Sequence, residues 1–224
     1  MPLQNRVDPF GDIRATTARG LFTGNRGVLH DPQTRTLTGR RWTTRAWIVC
    51  ECAFRGRRRA VMGRNAPSGN AGWTELFFLD EATALAAGHR PCFFCRREAA
   101  TTFASCFAAG NGLDTVRAPA IDAILHRERL TPLRERPPVR AGAVSALPDG
   151  AMVAHDDRAL LIVSGALRLW AFTGYGPSPA FSTNPDARLR LLTPLATLAA
   201  LKAGYKPVLH QTAYAPASAT EAAV

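Results

Sequence analysis

Polar and apolar residues alternate from Arg45 to Phe54, which predicts a strand with Ile48, Cys50, Cys52 and Phe54 on one face and turns both thiols toward the core. A second strand is predicted at Glu75–Leu79, then a helix of about two turns with Asp80 as its N-cap and Gly88 as its C-terminal cap. Pro91 keeps that helix from resuming. The period then becomes helical. Ala99, Phe103, Cys106 and Phe107 fall on one face of a helix from Arg96 to Ala109, which makes Cys106 a core residue. Ile121, Ile124, Leu125 and Glu128 mark a further amphipathic helix from Pro119 to Leu130, with His126 on its polar side.

Beyond a connection rich in Pro, Arg and Gly, Met152 to Tyr175 reads as strand-turn-strand. Its turns fall at Asp156-Asp157 and Ser164-Gly165, and its strands include Leu160–Val163 and Leu167–Trp170. Arg188–Leu192 is a further strand, and a helix runs from Pro194 to Ala203. The end of that helix, Leu201 to Pro207, echoes Leu85 to Pro91. Val208 and Gln211 stand there where Cys92 and Cys95 stand in the first copy, so this Gly-aromatic-basic-Pro ending can stop a helix with no metal at all. Residues 1–40 contain little periodicity, and Ala18–Asp31 reads as loops around a short strand. Its glycines 20, 24 and 27 lie beside Arg19, Asn25, Arg26 and His30, but the Gly-Lys-Ser/Thr ending of a P-loop is lacking, and a surface hairpin is the plainer reading.

Specific chemistry is concentrated in Gly88-His89-Arg90-Pro91-Cys92-Phe93-Phe94-Cys95-Arg96-Arg97. Two thiolates at C-x2-C spacing can point at a common centre while the turn between them aims backbone N–H groups at the sulfurs, which is half of a tetrahedral zinc site. The other half is expected from Cys50-Glu51-Cys52, giving a Zn2+ site of Cys50, Cys52, Cys92 and Cys95. In an extended strand the Cβ atoms of Cys50 and Cys52 lie roughly 7 Å apart, farther than two sulfurs on one zinc sit, so His30 stands as the alternative to Cys52. Five cysteines, an odd number, favour metal ligation by reduced thiols over a disulfide framework.

The stretch from Asp80 to Cys95, with its strand, short Ala-rich helix and Gly-aromatic-basic-Pro-Cys-x2-Cys knuckle, resembles the second half of the zinc-binding domain of the Ada DNA-repair protein over about residues 74–97. The resemblance implies a zinc-binding module that sits on DNA, with Cys92 and Cys95 as the second ligand pair. In that family the first cysteine, as a zinc thiolate, accepts a methyl group from a methylated backbone phosphate, and Cys50 is the corresponding position. The family has three residues between its first two cysteines, and this chain has one.

Charge then bears on partners. The net charge is +11, and residues 1–100 hold 16 arginines against 8 acids, so the positive surplus travels with the cysteines. Arginine accounts for 26 of the 28 basic residues, which suits bidentate recognition of phosphate and equally suits a bias in base composition. The arginine turn Arg55, Arg57, Arg58, Arg59 together with Arg96 and Arg97 is the predicted nucleic-acid surface, DNA being the expected polymer. No apolar run is long enough to span a bilayer, and Met1–Arg6 lacks the hydrophobic centre of a signal peptide, so no membrane partner and a cytoplasmic location are expected.

These readings converge on an α+β protein. Its expected parts are a loop-rich segment at 1–40, an Ada-like zinc module at 41–110, a helix and Pro/Arg-rich connection at 111–145, a β-rich unit with a terminal helix at 146–212, and a disordered tail at 213–224. The expected function is zinc-dependent binding of nucleic acid, in DNA repair or processing. One alternative is a DNA-processing or repair enzyme using a zinc thiolate or zinc-bound water, with His30, Asp31, Glu75 and Cys50 as candidate catalytic groups. A zinc-stabilised protein-protein adaptor is the other. No Ser-His-Asp, H-E-x-x-H or paired-carboxylate pattern is visible.

Overall fold

In the computed structural model, which describes residues 1–56 and 60–215, the helix expected after Asp80 forms at Glu81–Ala86 (α1) and all of its residues are buried. Its alanine-rich sequence has a packing reason. Leu85 joins one apolar cluster, Ala82 and Ala86 a second, and Ala84 with Ala87 a third, so small side chains let three layers approach one helix.

The first half supplies a mixed six-stranded sheet. Its strands are Gln4–Val7 (β1), Ile13–Ala15 (β2), Phe22–Asn25 (β3), Ile48–Glu51 (β6), Leu76–Phe78 (β7) and Arg90–Pro91 (β8), in the order β2-β1-β7-β3-β6-β8. Between β3 and β6, His30–Asp31 (β4) and Thr36–Leu37 (β5) form a separate ribbon. β1 and β2 are too short to announce themselves by alternation, and β6 ends at Glu51, three residues before the alternation in sequence does. Two helices follow, Arg97–Gly110 (α2) and Ala118–Arg129 (α3).

The second sheet is antiparallel throughout. It contains Pro138–Arg140 (β9), Met152–His155 (β10), Arg158–Val163 (β11), Ala166–Ala171 (β12), Gly174–Gly176 (β13) and Arg188–Leu191 (β14), in the order β13-β12-β11-β10-β14-β9. Both expected turns are present, with Asp156, Ser164 and Gly165 at positive φ. Both faces of the central strands are covered, which is why Leu160–Val163 is apolar without a break. Val153, Leu160 and Ile162 pack with Phe103 and Phe107 of α2, Ile121 and Leu125 of α3, and Leu201 of the last helix, Leu195–Lys202 (α4). On the other face Met152, Leu161 and Val163 meet α1.

The two acids at the start of α1 hold the C-terminal segment in place. Asp80 caps the helix by accepting from the Thr83 N–H at 2.9 Å, and also accepts from the Tyr175 hydroxyl at 2.8 Å and the His210 N–H at 3.0 Å. Glu81 accepts from the Tyr205 hydroxyl at 2.6 Å and the Val208 N–H at 2.9 Å. No helix among the described residues is long and apolar enough to cross a membrane.

Candidate metal centre

α1 ends in the same way as α4, and this ending aims the knuckle. Gly88, at φ +84°, donates its N–H to the Leu85 carbonyl, and His89 donates to Ala84. Gly204, at φ +106°, and Tyr205 repeat the pair of bonds to Leu201 and Ala200. In the first copy the chain then pairs parallel to β6, with Val49 opposite Pro91 and the Cys92 N–H donating to the Val49 carbonyl at 3.0 Å. That register sets Cys92 beside Cys50. The turn closes with the Arg96 N–H on the Cys92 carbonyl at 2.9 Å and the Phe94 N–H on the Cys92 sulfur at 3.4 Å.

Cys50, Cys92 and Cys95 thereby place their sulfurs within 4.8 Å of one another. Two sulfurs on a tetrahedral zinc lie about 3.8 Å apart, so three thiolates here fit one ion with small side-chain rotations. The thiols share one charge efficiently. Hydrogen bonds from Cys50 and then Cys95, with further help from the Phe94 N–H, push the Cys92 thiol far below its ordinary value, while donating to Cys92 and then to Cys95 pushes Cys50 far above.

The centre differs from the expected four-ligand set. Cys52 lies beyond the end of β6, exposed, with its sulfur 3.5 Å from the Leu21 carbonyl, so the strand alternation that turned both thiols inward stops one residue short of it. His30 is buried elsewhere, with Nδ1 2.6 Å from the Thr74 hydroxyl and Nε2 3.3 Å from the Gly63 carbonyl. Neither belongs to the thiol group, which among the described residues has three members. Cys106 is partly buried against the helix cluster, far from this role.

Over the sulfurs opens a cavity of about 350 Å³, lined by the three clustered thiols and, outside their cluster, Cys52, by Thr23, Asn25, Glu51 and Glu75, and by the aromatic rings of Phe54, Trp73, Phe77 and Phe94. Glu75 is 4% exposed, and its carboxylate is fixed by the Met62 N–H at 2.9 Å and the Asn65 amide at 2.5 Å. Of the four candidate catalytic residues, Cys50 and Glu75 share this cavity. Asp31 instead accepts from the Gln33 and Thr34 N–H groups to shape the β4–β5 turn.

The arginines divide sharply. Arg55 is exposed, its guanidinium 5.1 Å from the Phe54 ring centre and 5.7 Å from that of Phe94, at the side of the cavity. Arg97 is exposed at the start of α2, and Arg57, Arg58 and Arg59 lie outside the described residues. Arg96 is no surface residue. It is buried beneath the knuckle, makes a two-pronged ion pair with Glu81 at 2.7 and 2.9 Å, reaches Glu51 at 3.1 Å and lies 4.3 Å over Phe22. Arg90 is likewise buried and pairs with Asp122 of α3 through two bonds of 2.8 Å. These pairs brace the knuckle from below, and no sequence pattern marked Glu81 or Asp122 as their partners.

Compared with family models, curated proteins and solved structures, the chain matches none of them.

Proposed function

We propose that this protein holds one zinc ion through Cys50, Cys92 and Cys95 and uses that centre on nucleic acid, as a DNA-processing or repair enzyme. One observation carries the reading: the three thiols meet on the wall of a cavity, and no fourth protein ligand among the described residues closes the set. Structural zinc sites are closed by four protein ligands, whereas catalytic ones keep a position open. A zinc ion there would act as a Lewis acid and keep the sulfurs ionised at neutral pH.

The chain's own residues supply the remaining parts. Glu75, held still by Met62 and Asn65, is the proton-accepting group of the cavity, and the aromatic walls exclude water and give planar groups a surface to stack on. Nucleic acid as the substrate class is supported by the surplus of arginine over acid in residues 1–100, by Arg55 beside the cavity and by the resemblance of residues 74–97 to the Ada zinc module.

The test joins native mass spectrometry of the purified protein to anisotropy titrations of labelled duplex and single-stranded DNA at several salt concentrations. One zinc per chain and an affinity whose logarithm falls with that of salt, at roughly −0.9 per duplex phosphate contact, are expected. Incubation with DNA carrying methylated backbone phosphates, followed by peptide mass analysis, separates methyl transfer to Cys50 from a reaction that leaves the cysteines unmodified. Zinc without any polynucleotide binding at low salt would overturn the reading in favour of a protein adaptor.

A further inference from the structure

In a second region, whose cleft shares no lining residue with the thiol cavity, positive charge collects. Arg40, Arg41, Trp42 and Arg45 follow one another closely, and Trp42 packs edge-on against His126 near the end of α3, ring centres 5.4 Å apart. Arg129, the last residue of α3, is 6% exposed and lies 4.1 Å over the ring of Trp47. Its terminal nitrogens donate to the Gly88 carbonyl at 2.8 Å and the Arg45 carbonyl at 2.6 Å, while its Nε has no partner among the described residues. Arg26, buried 4.0 Å over the same ring, also keeps one nitrogen without a partner among the described residues.

Beside them is a cleft of about 290 Å³ whose walls include Arg41, Arg129 and Arg136 together with Phe10, Leu133 and Leu192. Among the described residues no carboxylate lines it. The nearby acids are engaged elsewhere: Glu128 accepts from the Ala196 N–H, Asp122 from Arg90, and Asp8 from backbone N–H groups and Arg14. Burial, and then repulsion from Arg41 and Arg129, pushes the Arg26 guanidinium down to about 9, and burial followed by Arg41 lowers Arg136 as well. Like charges crowded this way are stabilised by a bound anion.

We infer that this cleft is a phosphate-binding site, with Arg41, Arg129 and Arg136 as its cationic wall and Phe10, Leu133 and Leu192 as an apolar wall for the organic part of a phosphate ester. Exposed Arg41 brings the fork that matches phosphate oxygens in pairs, while Arg129 and Arg136, which donate to the Gly88 and Arg45 and to the Thr131 and Leu192 carbonyls, contribute charge, and the cleft is larger than a bare phosphate needs. The phosphate can belong to a polynucleotide backbone or to a small phosphate ester, and the test has an arm for each.

The test compares wild type with Arg41→Glu and Arg41→Lys, chosen because Arg41 is exposed and its replacement leaves the core intact. Inorganic phosphate, against chloride matched in ionic strength, raises the melting temperature of wild type; Arg41→Glu loses this shift and Arg41→Lys keeps part of it. Zinc content, equal in all three, separates this site from the thiol centre, and each phosphate shift is read against that variant's own unliganded melting temperature. In the second arm short single-stranded DNA is titrated. An affinity about tenfold weaker in Arg41→Glu, with a salt slope shallower by about one contact, assigns the site to a polynucleotide backbone. Unchanged DNA binding beside a lost phosphate shift assigns it to a small phosphate ester. Wild type with neither a phosphate shift nor Arg41-dependent DNA binding overturns the proposal, and so does Arg41→Glu behaving as wild type in both arms.

Discussion

Arg96 and Arg97 are neighbours in a basic run, yet one is buried in an ion pair and the other points to water. Arg96→Ala leaves the Glu81 carboxylate, 0% exposed, without its cation, and the cost is expected at about 3–5 kcal/mol. Arg97→Ala is expected within about 0.5 kcal/mol of wild type. Denaturant unfolding of the two variants checks both. The cysteines divide on the same principle, that geometry outranks residue type. With zinc held as proposed, Cys50→Ser, Cys92→Ser and Cys95→Ser are each expected to lose stoichiometric metal and, with it, melting temperature, because binding free energy at such a site is also folding free energy. Cys52→Ala is expected to retain the metal. Metal analysis of the purified variants decides this, and zinc lost from Cys52→Ala would mean a closed four-cysteine site.

The two helix endings that share the Gly-aromatic-basic-Pro pattern are distinguished by what surrounds them. A Cβ at Gly204 meets nothing within 4 Å, so Gly204→Ala costs only the left-handed backbone, about 1–2 kcal/mol. At Gly88 an added Cβ would lie 2.9 Å from the Cβ of Arg129, so Gly88→Ala adds a clash with α3 to the same backbone cost. Since β8 begins two residues later and sets Cys92 beside Cys50, Gly88→Ala is expected to weaken zinc retention against a chelator as well as stability. Gly204→Ala is expected to leave zinc retention unchanged. Urea unfolding and chelator competition on the pair measure both effects.

Across the whole molecule, the second sheet and the C-terminal segment meet α1 through hydroxyls that donate to carboxylates, Tyr175 of β13 to Asp80 and Tyr205 to Glu81. Burial, and next the adjacent carboxylate charge, raises both phenols above their ordinary 10.0. Above that pH the unfolded chain releases these protons and the folded chain keeps them, so the unfolded state binds fewer and stability falls as pH rises. Tyr205→Phe is expected to lose about 1–3 kcal/mol at pH 7, where a donor to buried Glu81 disappears, and to show a shallower decline above pH 10. Melting curves of wild type and variant across that range test it, since contributions common to both cancel in the comparison.

Residue order by itself determined whatever depends on near neighbours. The cap at Asp80, the stops at Gly88 and Gly204, the periods of α2 and α3, the helix after Pro194, the turns at Asp156 and Ser164 and the C-x2-C knuckle are all written within a few residues, and all are present. Tertiary structure decided which cysteine of the first pair meets the knuckle, because that follows from where β6 ends and how β8 registers on it across a long intervening chain. It also decided that His30 and Arg96 turn inward to Thr74 and Glu81, and that Glu75 rather than Asp31 stands in the cavity. Periodicity can assign a side chain to a face, but the neighbours waiting on that face are set by strand register and packing between distant segments, and those carry no local pattern.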